Sequence, residues 1–438
     1  MSVTETMETS AARGGPPRGI GQYAKRYVQR ARNGDAGSAP VILGLIVLIV
    51  IFSVAHPPFF SLGNLANLVT QSAPIMLLAL GLVFVLLLGE IDLSAGTTSG
   101  VCAAVMALLI FKGYPTVIGV LAAIVAGVII GLIIGYVRAK IRVPSFVITL
   151  AFFLALQGVV LAIVIAAKTQ GNIPIQSNAI NALENSPMPN WGGWLMLVVF
   201  TVGYAALKLS DARGRRRRGL RAEPFGILAL KIGALAVLGA VLVFLLNSNR
   251  ALNTGATGFT TVNGKIVKAQ ATALTGVPWV VPFLLLVFVI LALVLTRTVY
   301  GRHVYAVGGS AEAARRAGIN TTAIRISVFV IGSGLAALSG IVLASQIGVN
   351  SAEGGGNTLL LAVGAAVIGG TSLFGGKGRA VDAVLGAIVV TVIQNGMSDI
   401  VQGANSAAVQ LIVTGIVLAL AATVDAISRR RAGASGLA

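Results

Sequence analysis

The chain has 438 residues, of which 56% are hydrophobic and only 10% are Asp, Glu, Lys or Arg, and its net charge is +19. That is too little charge to cover a soluble protein of this size, so most side chains must face lipid or one another. One cysteine, Cys102, and two histidines, His56 and His303, in separate loops exclude a disulfide framework and a His/Cys metal site.

Residues 1–37 are polar and basic and read as a cytoplasmic tail; from Ile20 to Arg32 an apolar edge faces basic residues, as in a helix lying on a lipid surface. Apolar runs then recur near the ~20 residues that cross a hydrocarbon core as helix. The predicted spans are 38–55, 71–89, 97–111, 115–137, 145–166, 193–209, 225–246, 279–296, 322–345, 357–373, 380–398 and 407–427. The first is followed by His56-Pro57-Pro58 with no small-residue cleavage site, so it reads as an anchor and not as a signal peptide. Strand-like alternation is absent, and the expected fold is all-α: a polytopic transmembrane bundle of about 12 spans with both termini cytoplasmic.

Orientation follows from the basic residues. With the N-terminus inside, 26 of the lysines and arginines fall in cytoplasmic stretches and five outside. This is the positive-inside asymmetry at high contrast, and it accounts for the basic excess without nucleic acid. Trp191, Trp194 and Trp279 all fall at outer ends of spans, where an aromatic belt belongs. The membrane-spanning body is thus 38–428, followed by a cytoplasmic tail at 429–438.

Gly127, Gly131 and Gly135 share one face of the fourth span and should let a neighbouring helix approach closely. The stretches 84–106 and 363–387 both run from helix into a Gly/Ser/Asp break and back into helix; with the matching direction of the groups starting at 38 and 322, this fits an internal parallel duplication. Residues 193–246 form an extra pair of spans around the run Arg215 to Arg218, read as a topology anchor ahead of a grip on anionic lipid.

Glu90 and Asp92 are the acids closest to the membrane core, a costly place for charge. They either line a pathway or serve the helix break, with Asp92 or Ser94 capping the helix that resumes at Thr97. Gln157, Gln394 and Asn395 lie within spans, where they contact a solute or bond between helices.

The loop 297–321 carries a short helix with its terminus signals in place. Gly308 and Gly309 free the chain to turn, Ser310 can cap, and Glu312 sits in the positive first turn. Arg315 and Arg316 fall in the last turn, and Gly318 suits the left-handed C′ position. A helix this short needs something to pack against, so it reads as a docking peg or as a helix lying on its own bundle.

The residues GRHVYAVGGSAEAARRAGIN (301–320) resemble the coupling loop of permease subunits of ATP-binding-cassette sugar importers of the ribose/xylose/galactose family. Glu312-Ala313-Ala314 followed by Gly318 matches that family's Glu-Ala-Ala…Gly pattern, and GEIDLSAG (89–96), VPSFVITLAFFLALQG (143–158), VIGGTSLFGGKGR (367–379) and NGMSD (395–399) agree in order. Ala95 departs from the Val common in the family. The extra pair at 193–246 is similar to the longer xylose-type permeases, built as a ten-helix core plus that pair.

The resemblance implies a homodimer or paired permease in the bacterial inner membrane, with cytoplasmic ATPase subunits and an external sugar-binding protein. ATP and magnesium would sit on the partner subunits; no cofactor, metal or catalytic residue is expected on this chain. Gly370 to Gly378 fails as a phosphate loop, because Gly376-Lys377 is misplaced and Gly378 stands where Ser or Thr would hold magnesium. The expected solute is a monosaccharide, xylose or a related pentose or hexose, with ribose, galactose or a nucleoside as alternatives. A secondary transporter using Glu90, Asp92, Asp382 and Asp399 for ion coupling is the rival reading. A membrane enzyme would want His, Asp and Glu clustered on one face, and the sequence offers no such cluster.

Overall fold

A computed structural model describes residues 37–417 apart from 170, 220–223, 249–258, 263–264, 269–274, 351–355 and 402–407, together with residues 419, 420 and 423. The expected surface helix at 20–32 and the C-terminal tail lie outside the described residues.

Every predicted span meets a helix. In chain order these are α1 (Ala39–Ala55), α2 (Leu62–Leu87), α3 (Ala95–Phe111), α4 (Thr116–Tyr136) and α5 (Ser145–Ala166). A short external helix, α6 (Asn178–Asn185), leads to α7 (Asn190–Arg217), α8 (Phe225–Asn247) and α9 (Val280–Arg297). Next come α10 (Val299–Gly309) and α11 (Ala311–Arg316), then α12 (Thr321–Ile347), α13 (Gly356–Gly369) and α14 (Ala380–Ile400), and finally α15 (Ala408–Val417). Eight of these are long and apolar enough to cross a membrane; α1, α3, α13 and α15 are apolar but shorter. The tenth predicted span ends early, because α13 stops at Gly369 and the break takes the residues expected to finish it.

The core is built around α2. Its residues from Ser72 to Leu87 are all buried, which a lipid-facing helix could not be. It packs between α12, α13 and α14. Against α12, on its other side, lies α4, and the three glycines set that contact. A Cβ at Gly127, Gly131 or Gly135 would press on the backbone of Ser333, Phe329 or Ile326, all in α12. In lipid, where apolar burial gives little drive, such backbone contact is what holds helices together.

The inserted pair sits at the periphery. Of the 28 residues of α7 only Gly193 is buried. A bidentate ion pair from Arg297 to Asp211 braces its cytoplasmic end against α9, with distances of 2.7 and 2.6 Å. Trp191 and Trp194 near the start of α7 and Trp279 at the start of α9 are exposed. Strand β1 (Asn172–Ile173) pairs antiparallel with β4 (Val349–Asn350), tying the end of α5 to the end of α12. Between them in sequence, β2 (Phe259–Val262) and β3 (Lys265–Lys268) form a hairpin.

Exposed Ser310 and exposed Asn178 lie at opposite ends of the bundle. With Cys102 replaced, a cysteine at 178 should react with an impermeant thiol reagent in intact cells and one at 310 should not. The reverse pattern would invert the orientation.

Candidate functional site

On the cytoplasmic side the capping signals act as read. The Ser310 hydroxyl accepts from the Ala313 N–H at 3.2 Å. Glu312 pairs with Arg316 at 2.9 Å and Arg315 at 3.6 Å, and Gly318 has φ +84°. Ala314 alone of α11 is buried, so Ala313 and the charged residues face outward.

The two glycines before the peg are not hinges, which corrects the sequence reading. Gly308 and Gly309 complete α10, and only Ser310 is extended between the two helices. Gly308 is small because a Cβ there would overlap the Leu87 carbonyl. The Tyr305 hydroxyl, also on α10, donates to the Gly378 carbonyl at 2.7 Å.

The two breaks meet at this place. The Gly376 N–H donates to the Leu87 carbonyl at 2.9 Å, and a Cβ on Gly375 would lie 2.9 Å from the Gly89 nitrogen. Gly89, Gly375 and Gly376 have φ of +70°, +86° and +74°, which L side chains resist. The first break is also tied to α5: the Ser145 hydroxyl accepts from the Ile91 N–H at 3.3 Å, and the Thr149 hydroxyl donates to the Ile91 carbonyl at 3.3 Å. Backbone polar groups freed inside an apolar body need such partners.

Each break has its own buried acid. Asp92 accepts from the Ser94 N–H at 2.9 Å and from the Ser94 hydroxyl at 2.6 Å. The helix resumes at Ala95, earlier than expected, and Ser94 at its N-cap position makes no capping bond with its own side chain. Asp92 instead closes the turn immediately before the helix through its two bonds to Ser94. In the second break Asp382 accepts from the Arg379 N–H at 2.8 Å and pairs with its guanidinium at 2.9 Å. Sequence reasoning missed this cap, although an acid three residues into a helix start is its usual signature.

Glu90 is buried between two arginines. Arg138, just past α4, meets both carboxylate oxygens at 2.8 Å, and Arg325, near the start of α12, lies 3.5 Å from one of them. Three helix ends are thereby joined through one charge.

Toward the outer ends of the helices lies a cavity of ≈ 300 Å³, lined among others by Gln71, Gln346, Thr358, Gln394, Asn395 and Ser398. Gln394 and Asn395 both line this cavity, while Gln157 on α5 is not among its lining residues and lies near Gly356. Asn395 also bonds between helices, its carbonyl accepting from Asn64 at 2.7 Å.

Gln346 and its partner were not legible in advance. Pro74 in α2 has no N–H to give to the Thr70 carbonyl four residues back. The Gln346 amide donates to that carbonyl at 2.9 Å and to the Glu184 carboxyl on α6 at 2.6 Å. With both amide hydrogens committed, Gln346 offers the cavity an acceptor oxygen.

Burial pushes the Glu184 carboxyl up to about 8, and the Gln346 bond draws it back only in part. The folded protein thus holds this proton where the unfolded chain has lost it. Stability from this group is full below about pH 4.5, falls as pH rises and levels off above about pH 8. Glu184→Gln should flatten that slope and raise the thermal midpoint in detergent at pH 8 but not at pH 5. Equal gains at both values would refute the raised pKa.

Residues 64–224 and 217–422 match the family described as branched-chain amino acid transport system / permease component. The chain is similar to the xylose transport system permease protein XylH of Escherichia coli K12, 33% identical over 404 residues, which is 89% of this chain and 92% of that one. It is similar to the protein of the same name in Haemophilus influenzae, 30% identical over 396 residues, covering 89% and 96%. Similarity extends to the ribose import permease protein RbsC of Bacillus subtilis, 28% identical over 383 residues, covering 87% and 91%. No solved structure matches.

Proposed function

Since the chain belongs to the branched-chain amino acid transport system / permease component family and is similar to xylose-type sugar permeases, we propose that it passes a monosaccharide inward across the membrane. It is a multi-pass subunit of the bacterial cytoplasmic membrane, the permease part of an ATP-binding-cassette importer. An external binding protein delivers the sugar, separate cytoplasmic ATPase subunits supply the energy, and two copies of the chain pair to form the pathway.

The observation that carries the sugar reading is the chemistry of the outer cavity. Among the described residues its polar lining is amides and hydroxyls, with no charged side chain. A zwitterionic amino acid needs charged or strongly polarised partners for its ammonium and carboxylate groups. A neutral polyol is met by uncharged donors and acceptors that can exchange with water, which also suits low-affinity passage. The acceptor-only Gln346 and the amides of Gln71, Gln394 and Asn395 fit sugar hydroxyls in this way.

The peg α11 presents Glu312, Ala313 and the arginines to a receiving groove on the ATPase, and Gly318 fixes its angle. Asp92 and Ser94 serve the break on this reading, and Glu90 joins helix ends.

Uptake of radiolabelled xylose, ribose and leucine by cells expressing the chain with the ATPase and binding protein of its own system tests the proposal. Sugar uptake lost on Gln394→Ala, with no leucine uptake, is expected. Leucine uptake without sugar uptake would overturn it.

A further inference from the structure

The backbone junction between α10 and the two breaks has no ligand to hold, yet it joins three segments that are far apart in sequence. Leu87 closes α2, Gly308 closes α10, and Gly376 lies in the second break. All three touch through main-chain atoms, with the Leu87 carbonyl at the centre. Main-chain contact is stiff, because no rotamer can absorb a displacement, and glycine at 89, 308, 375 and 376 leaves no side chain to cushion it. One side-chain bond, from Tyr305 to the Gly378 carbonyl, clamps the far side.

We propose that this junction carries the displacement of α11 into both broken segments at once, with Tyr305 and Gly308 as positioning residues. This rests on the reading of α11 as the ATPase-docking peg. Only Ser310 separates α11 from α10, so a push on the peg moves α10 as a rod. The rod bears on the end of α2 through Gly308, and on the second break through Tyr305. The end of α2 leads into Glu90, whose arginine partners open α12 and close α4. The second break leads into Asp382 and α14, whose outer part lines the cavity with Gln394 and Asn395. A cytoplasmic push thereby reaches the outer cavity along α2 and α14 together.

Fluorescent thiol probes at Phe374→Cys, in the second break, and at Ala317→Cys, beside the peg, read the two ends of this path. The background is Cys102→Ala, and the sample is the complex with ATPase and binding protein, with and without a non-hydrolysable ATP analogue. Nucleotide should change the signal at both positions. Tyr305→Phe removes one hydroxyl and no volume from the core; it should leave the change at 317 intact and shrink that at 374 by about five-fold, the weight of one net hydrogen bond in a two-state balance. Gly308→Ala should do the same through steric displacement. A response at 374 equal to the parent's in Tyr305→Phe overturns the junction, as does loss at both positions, which would make α10 part of docking. No response at 317 in the parent overturns the docking reading itself.

Discussion

Replacing Glu312 by Arg should cut sugar-stimulated ATP hydrolysis in the assembled complex sharply while leaving the permease inserted and folded. Within the chain Glu312 does little. Its ion pairs to Arg315 and Arg316 are exposed and lie along the same helix, an arrangement that contributes under about 0.5 kcal/mol. The capping bond belongs to Ser310 and survives the change. Lost stimulation then reports on the partner surface and not on the permease fold. A coupling free energy of the usual size predicts a drop of about tenfold or more.

Gly318 gives an independent arm of the same experiment. An added Cβ there meets no atom within 4 Å, so a larger side chain has room. The cost is purely conformational, about 1–2 kcal/mol for holding an L residue at positive φ, and more for a β-branched one. Stimulated hydrolysis should therefore fall in the order Gly, Asn, Val, since Asn tolerates positive φ best among the others. Equal rates in all three, together with an active Glu312→Arg, would reduce the loop to a connection.

How much of this was open to a reader of the sequence depends on the range of the interaction. The spans were legible because hydropathy and length are local, and basic residues give an expected orientation one loop at a time for the same reason. The cap at Ser310 and the positive φ at Gly318 were legible for the same reason. Gly308 was misread: a glycine before a short helix looks like a hinge, and only the distant Leu87 carbonyl reveals it as a contact. The arginines counted as topology signals include Arg138, Arg325, Arg297 and Arg379, each of which also holds a specific carboxylate. Position alone cannot separate those two uses. Glu184 was illegible altogether, since its meaning comes from Gln346, which in turn answers a carbonyl freed by Pro74.

Removing the charge of Glu90 should be among the most destabilising single changes in the chain. The carboxylate is buried, and both arginines that flank it keep their charge when it is gone. Breaking a buried pair from one side costs about 3–5 kcal/mol; the partial exposure of Arg138 and Arg325 puts the expected loss at or below the lower end. Glu90→Gln should thus lower the thermal midpoint in detergent well below that of the parent. Removing one arginine should cost less, because the other still neutralises Glu90. Arg138→Gln, which loses two contacts at 2.8 Å, should cost more than Arg325→Gln, which loses one at 3.5 Å. The double change Glu90→Gln with Arg138→Gln should recover part of the Glu90→Gln loss, a coupling that a double-mutant cycle measures directly. If Glu90→Gln instead matches the parent in stability and is dead in uptake, the residue belongs to the solute pathway. The cluster would then be a gate, and not the fastening of three helix ends that its geometry describes.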